Sequence, residues 1–228
     1  MNQPQFDNAG FPPDYHSDDI EIIRAVAPYT MTSTERIHAL ITAVRHIVGS
    51  GIPGDLVECG VWKGGSVMAM ALTLLQLQNQ DRALYLFDTF SGMTAPSDRD
   101  VDYLGQPAQT ILEDVRCAAT QEEVEAAVFG TGYDRANIHF VSGAVEETIP
   151  DQAPGMIALL RLDTDWYQST RHELFHLFPR LTPGGVIIVD DYGHWHGARQ
   201  AVDEYLADNR ISLLLHRIDY TGRIGVKA

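Results

Sequence analysis

Cysteine is nearly absent: Cys59 and Cys117 are the only two in 228 residues. Cys59 lies in an apolar, strand-like run and Cys117 in a helix-like one, so a reduced, soluble, cytoplasmic protein is expected. Basic residues are scarce as well, 16 Lys and Arg against 31 Asp and Glu, a net charge of -15. A nucleic-acid partner needs a basic footprint, and an anionic membrane surface attracts basic segments, so neither is expected. No window reaches the apolar length of a membrane span. The start, "MNQPQFDNAGFPPDYH", lacks the basic and apolar stretches of a signal peptide. Repeats, low-complexity tracts and the dinucleotide fingerprint G-x-G-x-x-G are all missing.

What is present suits one globular core: 45% of the residues are hydrophobic and 21% charged. Residues 1–16, with Pro4, Pro12 and Pro13, read as an extended arm. "TSTERIHALITAVRHIVGSG" reads as a helix with a Thr32–Glu35 capping box and an apolar stripe of Ile37, Leu40, Ile41, Val44 and Val48. Strands and helices then alternate. "DLVECG", "ALYLFD", "NIHFVSG", "GMIALLRLD" and "GVIIVDD" read as strands. Helices are expected over "SVMAMALTLLQLQ", residues 111–129, "TRHELFHLFPRL" (with a Thr170–Glu173 capping box) and "ARQAVDEYLADN". "TPGG" reads as a turn, and "ISLLLHRID" and "GRIGVKA" as a closing hairpin. Strand runs without clean alternation are buried on both faces. The expectation is therefore an α/β fold: a doubly wound, mostly parallel seven-stranded sheet with a C-terminal antiparallel hairpin. An N-terminal arm and helix would occupy residues 1–50, and a single globular unit residues 51–228.

Ligands of such sheets bind beyond the carboxyl ends of the strands. Two features fall there. The first is the loop "VECGVWKGGS", where Gly60, Gly64 and Gly65 permit tight turns and close approach to a ligand. Glu58 beside it is a poor neighbour for a pyrophosphate and a good one for an amine or hydroxyl. Asp88 ends the second strand, where an acidic residue commonly holds a ribose, and Ser142–Gly143 end the third. Together these favour S-adenosylmethionine over a dinucleotide, although close helix–sheet packing alone would also explain Gly64 and Gly65.

The second feature is the set Asp163, Asp165, Asp190 and Asp191, at the tips of two apolar strands joined by one helix. Carboxylates converging there, without a cysteine or a histidine pair at ligand spacing, suit a hard cation such as Mg²⁺; capping of the following turns is the plainer alternative. Asp165 is open to three roles: a further ligand, a hydrogen-bond acceptor for substrate, or a general base. His194 and His196 follow in a loop and are not expected to bind metal. Trp166 and Trp195 suit packing or an apolar wall for substrate.

"PYTMTSTERIHALITAVRHIV", "GDLVECGVWKGGS", "LFDTFSGM", "LRLDTDWYQST" and "LTPGGVIIVDDYGHWHGARQAVDEY" together resemble the macrocin O-methyltransferase family, over most of the chain from about Pro28 to about Tyr205. The resemblance implies a Rossmann-like, S-adenosylmethionine- and Mg²⁺-dependent methyltransferase acting on sugar hydroxyls of bacterial antibiotics. Asp163, Asp190 and Asp191 match the metal carboxylates, and Asp165 the position proposed as general base. Asp163 and Asp165 are thus the catalytic pair. Glu58, Gly60, Val61, Trp62, Lys63, Gly64, Ser66, Asp88 and Ser91 correspond to the cofactor pocket, to which Ser142, Gly143 and Asp163 also belong. Thr30 and Met31 correspond to a segment folded over the cofactor, and residues 92–110 to a lid that shapes acceptor choice. The expected partner is a glycosylated or polyhydroxylated small molecule, a vicinal diol if two oxygens meet the metal. A homodimer or higher oligomer is also implied, with the N-terminal helix as interface. Rivals are a catechol-like phenolic acceptor, a cofactor-binding relative without turnover, and a nicotinamide-dependent oxidoreductase.

Overall fold

A computed structural model describes residues 10–112 and 117–228; residues 1–9 of the expected arm and 113–116 of the expected 111–129 helix lie outside them. Seven strands form one sheet: β1 (Asp55–Cys59), β2 (Leu84–Asp88), β3 (Ile138–Ser142), β4 (Ile157–Leu162), β5 (Leu181–Val189), β6 (His216–Arg217) and β7 (Arg223–Val226). Their order is β3-β2-β1-β4-β5-β7-β6. The first five run parallel; β7 is antiparallel to β5 and to β6. This is the expected α/β sheet with its C-terminal hairpin, and chain order reverses at β1, between β2 and β4.

Alternation along each strand feeds two cores. Leu56, Leu86, Leu159, Val186 and Ile188 join one cluster with α1 (Ser17–Val26), α2 (Thr34–Gly49), α3 (Gly65–Gln76) and α4 (Gln121–Phe129). Val57, Phe87, Leu160, Ile187 and Val189 join the other with α5 (Val145–Thr148), α6 (Tyr167–Leu177) and α7 (His196–Asp208). Burial on both faces is why the strands carry no polar–apolar alternation. Among the described residues no helix is long and apolar enough to cross a membrane.

Several local expectations are corrected. Helix α1 was not expected; Ile20, Ile23 and Val26 are buried, and Asp19, fully buried, accepts the His16 backbone N–H (3.2 Å) and pairs with Arg45 (2.5 Å). Helix α2 is capped by Ser33, not Thr32: the Ser33 hydroxyl accepts the Arg36 N–H at 3.2 Å. Its stripe packs inside the chain, with Ile37, Leu40, Ile41 and Val44 buried in the first cluster. Helix α4 starts only at Gln121, because the Thr120–Glu123 capping box lies downstream; Cys117 is not helical and sits at φ +47°. In α6 the expected cap, Thr170, is buried in the helix with its N–H on Trp166 O, and Glu173 instead receives the Thr164 hydroxyl at 2.9 Å. "TPGG" lies within β5, whose register jumps from Ile157↔Leu181 to Leu159↔Val186. Of "ISLLLHRID" only His216–Arg217 pair as strand.

The true cap gives a simple test. Ser33 Oγ also donates to Asp219 (2.8 Å). Ser33→Ala is therefore expected to lower stability by about 1–2 kcal/mol, read by urea or thermal unfolding, the upper part of the usual capping range.

Candidate active site

Register places the first charged pair. Glu58 of β1 and Arg161 of β4 are cross-strand partners on the α2 side of the sheet. Continuing the period of two, Asp163 follows Arg161 and Asp190 follows Ile188 on that same side. The outcome is a network centred on Arg161, whose side chain is 2% exposed. Its guanidinium donates to Glu58, to Asp163 (2.7 Å), to Asp190 (2.5 Å) and to the Thr32 hydroxyl (3.2 Å). Helix α2 adds Arg36, which bonds the second Asp190 oxygen and reaches Asp219 at 3.0 Å. Sequence reading missed both arginines. The one hint was a guanidinium inside "LLRLD", an otherwise apolar buried run.

Five carboxylates of the cavity wall, Glu58, Asp163, Asp165, Asp190 and Asp191, therefore gather around two guanidiniums, one of which is also paired with Asp219. Oxygens of Asp163, Asp190 and Asp191 lie within 4.8 Å of one another. Burial, and then repulsion from Asp163, lifts the Asp165 carboxyl to about 7, against hydrogen bonds from Asp191 and Trp195. Burial likewise holds Glu58 up at about 7 despite Arg161, and pushes Asp163 and Asp191 well above the usual carboxylate range. Two positive groups are too few for five ionised carboxylates, so the cluster keeps protons unless a further cation enters. Glu58 Oε2 is buried with no hydrogen-bond partner among the described residues.

The cluster forms one wall of a cavity of about 320 Å³. Thr30, Met31, Glu58, Gly60, Val61, Trp62, Ser66, Asp88, Gly143, Asp163, Asp165, Asp190 and Asp191 all line it. Lys63, Gly64, Ser91 and Ser142 do not; Lys63 lies over the Trp62 ring instead, its Nζ 4.8 Å from the centroid. Asp88 grips the glycine loop: Oδ2 accepts the Val61 and Trp62 N–H groups (2.6 and 3.0 Å) and Oδ1 that of Phe90 (2.8 Å). His194 lines the cavity and His196, at the start of α7, does not. Trp195 donates its indole N–H to Asp165 at 2.7 Å and packs edge-on against Trp166 (5.1 Å). Asp165 has a left-handed backbone (φ +66°), as do two other lining residues, Trp62 and Cys117, so three non-glycine residues are held in a costly conformation around one cavity.

Close backbone approach explains two glycines. A Cβ on Gly60, at φ +81°, would lie 2.0 Å from the Asp163 carbonyl oxygen, where the tips of β1 and β4 meet. A Cβ on Gly65 would lie 2.6 Å from Tyr29 O, so the segment before α2 crosses directly over the start of α3. That crossing brings Thr30 and Met31 to the cavity. Gly92, Met93 and Thr94 also line it, and the rest of that stretch is pinned by bridges Val101↔Pro107 and Asp102↔Trp195.

A family model described as macrocin-O-methyltransferase (TylF) matches residues 18–224. The 8-demethyl-8-(2,3-dimethoxy-alpha-L-rhamnosyl)-tetracenomycin-C 4'-O-methyltransferase of Streptomyces olivaceus is 33% identical over 201 residues, 85% of this chain and 74% of the relative. The demethyldecarbamoylnovobiocin O-methyltransferase of Streptomyces niveus is 33% identical over 196 residues, with the same shares. The solved structure of the O-methyltransferase NovP superposes with a TM-score of 0.80 at 31% identity, over 88% of this chain and 82% of that one.

Proposed function

Since this chain belongs to the macrocin-O-methyltransferase family and is an O-methyltransferase, we propose that it moves the methyl group of S-adenosylmethionine to a sugar hydroxyl of a glycosylated small molecule, with Mg²⁺ at the carboxylate cluster. One observation carries this reading: Asp163, Asp190 and Asp191 present oxygens within 4.8 Å of each other on the same cavity that the glycine loop lines. Hard oxygen donors, with more negative charge than two arginines neutralise, fit a divalent hard cation. Each carboxylate has more lone pairs than its arginine contacts use, so Asp163 and Asp190 can serve both. The rhamnosyl group in the printed name of the Streptomyces olivaceus relative's substrate supports the acceptor class.

In this reading Asp163, Asp190 and Asp191 hold the ion, which would supply Lewis acidity to a coordinated hydroxyl. An acceptor with neighbouring hydroxyls would offer two oxygens to that site. Asp165 takes the proton that the hydroxyl loses, and Trp195 fixes its carboxylate through the 2.7 Å hydrogen bond. The segment Thr30–Thr32 and the stretch Gly92–Thr94 close over the cavity and exclude water. Forming the new C–O bond breaks the S–CH₃ bond and leaves the thioether S-adenosylhomocysteine.

The direct test is calorimetric titration with S-adenosylhomocysteine, then incubation with S-adenosylmethionine, Mg²⁺ and a panel of glycosides and catechols, scored for a gain of one CH₂. Saturable binding and gain on a glycoside only support the reading. Gain on catechols only, or binding of NAD instead, overturns it.

Two smaller results should accompany it. Asp165→Asn should lower kcat by about 10²-fold or more, the usual worth of a general base, with little change in the S-adenosylhomocysteine Kd. Metal binding should also be linked to protons. Without the ion, burial and neighbouring charge lift the Asp165 carboxyl to about 7, and burial holds Asp163 and Asp191 well above the usual carboxylate range. Ion binding needs the ionised forms, so it must release protons. Mn²⁺ affinity should therefore fall from about pH 8 to about pH 6, with buffer-dependent heats reporting the release. An affinity flat in pH would show that the ion does not meet these groups.

A further inference from the structure

Helix α6 carries a buried acid that has no part in the chemistry above. Glu173 does not cap the helix; it is wholly buried, on the same helix as Leu174 and Leu177 of the second core cluster. Burial holds its carboxyl well above the usual carboxylate range, against hydrogen bonds from Thr164 and Cys59. Among the described residues no basic side chain pairs with it. A buried carboxyl without a cation is expensive, and an apolar side chain at the same place would cost the fold less. Glu173 is therefore to be explained by what it holds.

It holds Thr164, the residue between Asp163 and Asp165. Glu173 Oε1 accepts the Thr164 hydroxyl at 2.9 Å. Ser169, four positions earlier and so on the same helix face, is also buried. Its hydroxyl lies 3.3 Å from Thr164 O and 3.2 Å from Trp166 O. Thr164 is thus gripped from α6 by both its hydroxyl and its carbonyl. The same carbonyl accepts the Trp166 N–H at 2.8 Å, which closes a three-residue turn with Asp165 at its centre, at φ +66°. A γ-turn with a positive φ at a non-glycine residue is rare and strained, and it persists only where its surroundings over-determine it. The strained turn directs the Asp165 carboxyl to the cavity, where the Trp195 indole donates to it at 2.7 Å and Asp191 meets it. Thr164, Asp165 and Ser169 line that cavity and Glu173 does not.

We propose that Glu173, together with Ser169, is a positioning residue for methyl transfer: it locks Thr164 from behind the cavity and so maintains the strained turn that presents Asp165 to the acceptor. This rests on the reading above, in which Asp165 takes the proton. Glu173 touches neither cofactor nor acceptor and acts through Thr164 alone.

The test is a double-mutant cycle on the full chain with Glu173→Leu and Thr164→Val, which remove the two ends of one hydrogen bond at nearly constant volume. Turnover is measured with S-adenosylmethionine, Mg²⁺ and a glycoside acceptor, and S-adenosylhomocysteine binding and melting are measured beside it. The indole N–H resonance of Trp195, assigned with Trp195→Phe, reports the bond to Asp165 without substrate or metal. Each single variant should lower kcat by ~10–100-fold, the scale of displacing a catalytic group by about 1 Å. Acceptor KM and S-adenosylhomocysteine Kd should stay near native. The double variant should be no slower than the single ones, since both ends serve one bond. Glu173→Gln keeps an acceptor oxygen and should recover most of the rate. Glu173→Leu should melt no lower than the native chain, whereas a purely structural role requires it to melt lower. The Trp195 resonance should move in both single variants. Native kcat in either single variant, or losses that multiply in the double one, overturns the proposal. If Glu173→Leu fails to fold, Thr164→Val decides alone, by its kcat and its indole resonance. If the native chain methylates no glycoside, the sugar reading fails and the resonance decides: moved in both variants, the lock on Asp165 stands; unmoved, it falls as well.

Discussion

Asp191→Ala is expected to abolish methyl transfer, by about 10⁴-fold or more, while S-adenosylhomocysteine still binds with nearly native affinity. On the proposed reading, the scale follows from removing a metal ligand where the ion would stabilise several kcal/mol of developing charge. The selectivity follows from where Asp191 sits among its neighbours. Asp163 and Asp190 are held by Arg161 and Arg36 and are part of the structural network. Asp191 accepts from neither guanidinium among the described residues; its carboxyl partner is Asp165. Truncating it leaves no buried cation unpaired, so fold and glycine loop should persist. Turnover measured by mass, cofactor binding by calorimetry and Mn²⁺ binding by electron spin resonance separate the outcomes. Loss of Mn²⁺ affinity with cofactor affinity kept is the expected pattern. Loss of cofactor affinity would place Asp191 against the cofactor and not the ion, and native turnover would remove it from the site altogether.

The strand tips that line the cavity were legible in the sequence because they depend on local pattern. Apolar runs ending in Glu58, Asp88, Asp163 and Asp190 gave both the sheet and the rim on which ligands bind. What holds those carboxylates was not legible. Arg36 and Asp190 are 154 positions apart, Arg161 and Thr32 129, and Ser33 and Asp219 186. No periodicity links such pairs; only strand order and register bring them together. Caps failed for a different reason. Thr32, Ser33 and Thr34 all have hydroxyls suited to a helix start, and the choice of Ser33 frees Thr32 to accept from Arg161. In α6 the stretch "TRHELFHLFPRL" was read as a helix, but the helix starts at Tyr167, anchored by Asp100, which accepts the Tyr167 N–H at 2.7 Å from the distant 92–110 stretch.

Arg161→Met should be the most destabilising single change at the site, by about 3–5 kcal/mol, the usual result of removing one partner from a buried ion pair. Arg161 is the centre of the network: its removal leaves Glu58, already lacking a partner on Oε2, and Asp163 without a guanidinium, and Asp190 with Arg36 alone. Methionine fills much of the same volume, so packing loss should be small and the penalty electrostatic. That gives the prediction a pH signature. In the variant the carboxyls, no longer stabilised as anions by Arg161, hold their protons to higher pH in the folded state than in the unfolded one. Where the folded state binds more protons, stability falls as pH rises. The penalty should therefore be smaller near about pH 5, only about one unit above the unfolded carboxyl range so that little of this proton linkage has accumulated, than near about pH 8. A divalent cation should recover part of it at the higher pH, because it supplies the missing positive charge to Asp163 and Asp190. Urea unfolding of native and variant chains at both pH values, with and without Mg²⁺, reads all of these effects. A variant as stable as the native chain at every pH would mean that the buried network is electrostatically neutral to folding, as some buried ion pairs are. Arg161 would then matter for orienting the carboxylates alone, and the variant's metal affinity, not its stability, would carry the change.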